Sequence, residues 1–139
     1  MPDDFNITGS CQCRAVRYAV TALAHEVDHC HCSVCRKSHG AMFGTYATVD
    51  RAAFRFTDGE DNLSDFEVTP GVTRRFCRTC GCHLVVIPEA MPEIIWYTPA
   101  TLDGADPGHP RETEKHIHVA SQQPWWSFTD DRPKFDGLP

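Results

Sequence analysis

The chain has no long apolar run. Its longest, such as Leu84 to Ile87, span only a few residues, whereas a membrane-crossing helix needs roughly 20. No membrane partner is expected. An excess of basic residues is also missing, with 13 Lys and Arg against 19 Asp and Glu and a formal net charge of -6. No cluster of Lys and Arg alternates with aromatics, so nucleic acid is not an expected partner either. There is no internal repeat and no low-complexity tract. The opening residues, MPDDFNITGS, lack a basic region followed by an apolar stretch. No signal peptide is read there, and the expected location is the cytoplasm. Helical patterns are scarce as well. The one short candidate is Ser33 to Ser38, with Ser33 placed to cap its start.

What the chain does have is a series of short alternating segments. Arg14 to Val20, Phe43 to Val49, Ala53 to Phe56 and Leu63 to Val68 read as strands, as do Thr73 to Phe76, Leu84 to Ile87, Ile94 to Thr98 and His116 to Ala120. They are rich in Val, Ile, Phe, Tyr and Thr and are punctuated by turn residues. The acidic turn around Gly59 predicts a hairpin between its two flanking strands. Asp103 to Pro110 is a Gly/Pro loop, and the tail Asp130 to Pro139 reads as extended. Trp125 and Trp126 are expected to pack as core or lid. The fold class is mainly β, and 139 residues fit a single domain.

Eight cysteines are present, more than a core of this size demands. They fall into three clusters: Cys11 and Cys13; Cys30, Cys32 and Cys35; Cys77 and Cys80, with Cys82 close behind. Disulfides between residues two apart would be strained, and without an export signal thiol clusters point to metal or catalysis. These spacings let neighbouring sulfurs converge on one ion, and zinc prefers such tetrahedral thiolate sets. The tidiest partition gives one closed site, Cys11, Cys13, Cys77 and Cys80, and one three-ligand site, Cys30, Cys32 and Cys35. Three protein ligands with an open position is the arrangement of catalytic zinc. The triplet combined with one of the pairs is the other grouping that spacing allows. Cys82 reads as a small buried residue, as a fourth ligand, or as a redox partner of Cys80.

The segments GSCQCRAVRYAV, CHCSVCRKSHGAMFGTYATV and RRFCRTCGCHLVV resemble the glutathione-dependent formaldehyde-activating enzyme family, which includes centromere protein V-like proteins. The likeness continues through TLDGADPG and HIHVASQQPWW to DDRPKFDGLP. It implies a β-tent zinc-binding fold over residues 6–139, preceded by an extension of residues 1–5. It implies two zinc ions per chain: a structural one on Cys11, Cys13, Cys77 and Cys80, and a catalytic one on Cys30, Cys32 and Cys35. The implied function is that of a carbon–sulfur lyase acting on a thiol–aldehyde adduct, like an S-hydroxymethylglutathione synthase, with a small-molecule thiol and an aldehyde as partners. The alternative is a non-catalytic zinc-binding module that docks a protein. A closed second site would favour the module, and an open one the enzyme.

The chain departs from the family pattern at Arg14, where the family usually has glycine, and at Cys82, where it commonly has a small or polar residue. Several residues near the triplet are candidates for assistance. His31, His39 and His83 are placed to move a proton, and Arg36 and Lys37 to receive a substrate carboxylate. Each has a bland reading as a surface or hydrogen-bonded side chain. Gly40 to Phe43 would allow close approach of a ligand to the backbone or would simply lead into a strand.

Overall fold

Ten strands, one α-helix and several short 3-10 turns make up the regular structure of the computed structural model, which describes residues 6–106 and 108–139. The proposed extension, residues 1–5, lies outside the described residues. In chain order the elements are β1 (Ile7–Ser10), β2 (Arg17–Val20), β3 (Glu26–Cys30), α1 (Ser33–His39), β4 (Gly44–Asp50) and β5 (Phe54–Asp58). They continue with β6 (Leu63–Thr69), β7 (Val72–Cys77), β8 (His83–Pro88), β9 (Ile94–Tyr97) and β10 (Glu114–Ile117). The mainly β class and the single domain are as the sequence leads one to expect.

Two sheets enclose the core. One has the order β1-β2-β5, the other β10-β3-β4-β9-β8-β7-β6. Among the strands of the described residues, β10 pairs with β3 in parallel and the other pairs are antiparallel. Burial on β4 shows why the larger sheet is covered on both faces. Ala47 and Val49 join Tyr18, Val20, Phe54, Leu84, Ile95 and Tyr97 in the main core, whereas Tyr46 joins Cys30, Cys35, Val86 and Ile117 in a second cluster beneath α1. Alternation along a strand sends successive side chains to opposite faces.

Three local expectations are corrected. Gly59 does not turn a hairpin: β5 pairs with β2, and β6 pairs with β7. The chain passes from one sheet to the other there. Gly59 has φ +73, and a Cβ on it would collide with the carbonyl oxygen of Ala15. The helix cap is Cys32 rather than Ser33, its sulfur accepting the Cys35 N–H at 3.3 Å. The strand expected over His116 to Ala120 stops at Ile117, because His118 turns left-handed (φ 54) into a short 3-10 turn over Val119–Ser121.

The extended tail runs along the free edge of β10. Phe135 N–H donates to His116 O and His116 N–H donates to Pro133 O, at 3.0 and 2.9 Å. An unpaired sheet edge is thereby covered. Among the described residues no helix is long and apolar enough to cross a membrane.

Candidate metal centres and the cavity beside them

The turn after β1 carries Cys11 and Cys13, and the turn after β7 carries Cys77 and Cys80. The main core brings these turns together, with Cys11 and Cys77 buried in it. The four sulfurs lie within 4.8 Å of one another. Cys11 and Cys13 are 3.6 Å apart, and Cys13 and Cys77 are 3.7 Å apart. A Zn–S bond of about 2.3 Å in a tetrahedron sets an S–S edge of about 3.8 Å. A disulfide would need about 2.0 Å. Spacing and donor chemistry therefore both fit a zinc ion. Burial opposes ionisation of Cys80, yet the backbone of Cys13 and Cys82 holds its thiol down at about 6. Ready ionisation of one member suits a metal-binding set.

Arg14 stands in the first of these turns with φ 67. Its N–H donates to Cys11 O at 3.1 Å, and Cys11 N–H donates to Val16 O at 3.0 Å. The turn thus keeps a shape suited to glycine despite carrying an arginine.

The second group is Cys30, Cys32 and Cys35, again with sulfurs within 4.8 Å. Cys30 ends β3, Cys32 caps α1 and Cys35 lies one turn into the helix. Hydrogen bonds from Cys30 and Cys35 pull the Cys32 thiol far down, whereas its neighbours push Cys30 up. Among the described residues no fourth Cys, His, Asp or Glu atom joins this group. The all-sulfur donor set and the close spacing fit zinc here as well. Cys82 belongs to neither group: it packs half-buried against the main core, its sulfur 3.8 Å from His83 O.

The side chains around the triplet divide by face. Behind it, His31 is fully buried, and its Nε2 lies 2.8 Å from His116 Nδ1. His116 Nε2 in turn lies 3.0 Å from Asp130. Phe43, Trp126 and Phe128 close over these rings. Burial, reinforced by His116 and His29, holds His31 down at about 4, so it is neutral near pH 7. Trp126 is thus packing, while Trp125 is largely exposed. Arg36 is committed to the backbone, donating from Nε to His31 O at 3.2 Å.

In front of the triplet lies Arg74, which sequence reasoning missed. It is 7% exposed. It donates to Tyr46 Oη at 2.8 Å and to Cys35 Sγ at 3.6 Å. The signal was present in the Arg74-Arg75 pair of a strand. Alternation sends Arg75 out to Asp65 (2.9 Å) and Arg74 inward. His39 Nε2 lies 2.7 Å from the same Tyr46 oxygen. Burial, with His83 and Arg74 nearby, lowers His39 to about 4. Burial lowers His83 too. Gly44 is required beside them, because a Cβ would sit 2.6 Å from Tyr46 Oη and 2.8 Å from His39. Arg74 also lines a cavity of about 540 Å³ between α1 and β6–β8, together with Lys37 and His83.

A family model for glutathione-dependent formaldehyde-activating enzymes matches residues 6–121. The chain belongs to that family. Among the relatives named as glutathione-dependent formaldehyde-activating enzymes, a Halomonas elongata protein is 28% identical, over 86% of this chain and 78% of its own length. Proteins of Pyrenophora teres and Aspergillus terreus are both 34% identical, over 53% and 60% of this chain. The aligned part spans less than half of each fungal relative, 40% and 46%. A crystal structure of a Rhodobacter sphaeroides protein superimposes with a TM-score of 0.62 at 29% identity, covering 73% of this chain and 92% of that one. Membership agrees with the expectation of an enzyme, since the family and these relatives are named for one.

Proposed function

We propose that this protein is a zinc-dependent carbon–sulfur lyase that makes and breaks thiol–formaldehyde adducts. In this reading Cys11, Cys13, Cys77 and Cys80 hold a structural zinc, and Cys30, Cys32 and Cys35 hold a catalytic one. The observation that carries the reading is the contrast between the groups: four converging thiols in one, three in the other. When bound to the triplet, zinc supplies a Lewis-acid position that ionises and holds an incoming thiol.

The chain's own residues do the rest. The Cys35 N–H fixes the Cys32 sulfur, and Arg74 fixes the Cys35 sulfur while placing a positive charge beside several thiolates. The bond from His31 N–H to Ile117 O (3.0 Å) anchors the backbone between Cys30 and Cys32. Such preorganisation keeps two reactants in register. In the forward direction the thiol gives up its proton and its sulfur attacks the carbonyl carbon. A C–S bond forms, the C=O π pair moves to oxygen, and oxygen takes a proton. The reverse breaks the same C–S bond and regenerates thiol and aldehyde. Glutathione and formaldehyde are the pair suggested by the names of the relatives.

The test is NMR exchange between formaldehyde and a panel of thiols, with zinc-loaded wild type and Cys32→Ser. Acceleration by wild type and its loss in Cys32→Ser is the expected result. No rate above the spontaneous one with any thiol would leave a non-catalytic zinc-binding module as the better description.

A further inference from the structure

His31 sits between two members of the triplet, yet its ring bonds away from them. The side chain is fully buried, and its Nε2 lies 2.8 Å from His116 Nδ1. His116 Nε2 lies 3.0 Å from Asp130 Oδ2. A chain of bonds thus runs from the triplet to the C-terminal tail. Asp130 Oδ1 accepts the Arg132 N–H at 3.0 Å and the Lys134 ammonium at 3.4 Å. The same part of the chain supplies Trp126 and Phe128, whose ring centres lie 5.5 and 5.4 Å from that of His31.

Donors and acceptors along these bonds follow from chemistry. The bond to His116, joined by Arg132 and Lys134, holds the Asp130 carboxyl well below its ordinary value despite burial. A carboxylate only accepts, so His116 donates from Nε2. A neutral His116 then presents a lone pair at Nδ1, and His31 donates to it from Nε2. His31 Nδ1 is left as a bare acceptor, and it has no partner among the described residues. The other tautomer would put a buried N–H there with nothing to receive it. It would also leave the 2.8 Å contact without a proton unless His116 were doubly protonated.

A fixed ring fixes the backbone that carries it. Cys30 ends β3, and Cys32 is extended (φ -65, ψ 157). Successive side chains of an extended segment point to opposite sides. Holding His31 on one side therefore sets the direction of the two sulfurs on the other. The tail does not need Asp130 to keep its own place. His118 N–H donates to Gly137 O and Val119 N–H to Phe135 O, at 2.9 and 3.0 Å.

We propose that Asp130 is a positioning residue for the three-thiol group: through His116 it fixes His31 as the Nε2–H tautomer, and the fixed ring presets Cys30 and Cys32 for zinc. This rests on the reading above that the triplet holds zinc. It adds that the C-terminal tail, which supplies no ligand, contributes to the affinity of that site. Partners of this kind orient metal ligands without touching the metal.

The experiment is NMR of nitrogen-labelled histidine rings in zinc-loaded wild type and Asp130→Ala at one neutral pH. Competition with a chromophoric chelator measures zinc affinity at each site in parallel. Wild-type His31 is expected to show a protonated Nε2 and a bare Nδ1. Asp130→Ala is expected to lose that single tautomer, giving mixed or exchange-broadened His31 signals. Its zinc affinity at the triplet should fall about tenfold, with the four-thiol site unchanged. A wild-type His31 protonated at Nδ1 would overturn the proposal. So would an Asp130→Ala protein that keeps either the tautomer or the triplet affinity, or that weakens both zinc sites equally. A wild type that takes up no zinc at the triplet would end the zinc reading by itself. The tautomer would then decide alone whether Asp130 fixes the ring.

Discussion

Arg74 places its guanidinium between the phenol of Tyr46 and the sulfur of Cys35, donating to both at 2.8 and 3.6 Å. A buried cation beside a thiolate set offsets the negative charge that the set accumulates. Replacing it by alanine removes that charge and both of its N–H bonds, leaving Tyr46 Oη only His39 at 2.7 Å. Groups that support metal ligands in this way typically contribute about 10–100-fold to metal affinity. Arg74→Ala is therefore expected to weaken zinc at the triplet by at least about tenfold while leaving the four-thiol site loaded. Competition with a chromophoric chelator checks it. Equal weakening at both sites would mean that the substitution merely loosens the fold.

Arg14 offers a stabilising change. Its left-handed φ of 67 costs a non-glycine residue about 1–2 kcal/mol. Glycine avoids that cost but brings about 0.5–1 kcal/mol of extra unfolded-state entropy. The net expectation for Arg14→Gly is a gain of about 0.5–1 kcal/mol, seen as a rise of about 2–4 °C in the melting temperature. A lower melting temperature would show that the Arg14 side chain contributes more than its backbone costs.

Gly59 predicts the opposite sign. Alanine there meets both the left-handed φ of +73 and the Ala15 carbonyl. Gly59→Ala is expected to cost about 2–4 kcal/mol in chemical denaturation. A cost below about 1 kcal/mol would mean that the crossing between sheets shifts freely.

Glu114 gives the acid limb. His109, His29 and Arg132 meet its carboxylate at 2.9, 3.3 and 2.8 Å. Burial works against its charge, but these partners outweigh burial and hold the carboxyl at about 2 against an ordinary 4.5. The folded value is the lower one. The stabilisation is therefore fully present above about 4.5 and is lost as pH falls from there towards 2. Urea melts of wild type and Glu114→Gln should differ most near neutral pH and converge below pH 4.5. A difference that stays constant across that range would assign the effect to packing alone.

Much of this molecule was legible in its residues, for identifiable reasons. Strands such as β4 and β8 were visible as short runs rich in Val, Ile, Tyr and Thr between turn residues, although both are buried on their two faces and lack strict alternation. The cysteine clusters were visible because short spacings limit where sulfurs can point. Strand β3 was hidden, since Glu26 and Asp28 look like surface loop until Lys115 of β10 pairs with both, at 3.1 and 2.7 Å. The hairpin at Gly59 failed because a local turn signal says nothing about which sheet the next strand joins. Arg74 was hidden because its partners, Tyr46 and Cys35, lie far away in sequence. Lys37, singled out as a carboxylate receiver, does line the cavity. Arg36, singled out with it, is tied to the backbone.

The proposed function depends on two thiol groups that hold two zinc ions of different kinds. Zinc content per chain, measured by elemental analysis on fully loaded wild type and Cys32→Ser, tests it most directly. Two ions are expected in wild type, matching the two groups, and one in a Cys32→Ser protein that keeps its melting transition. A single ion in wild type, or a Cys32→Ser chain that unfolds as a Cys77→Ser chain should, would contradict it.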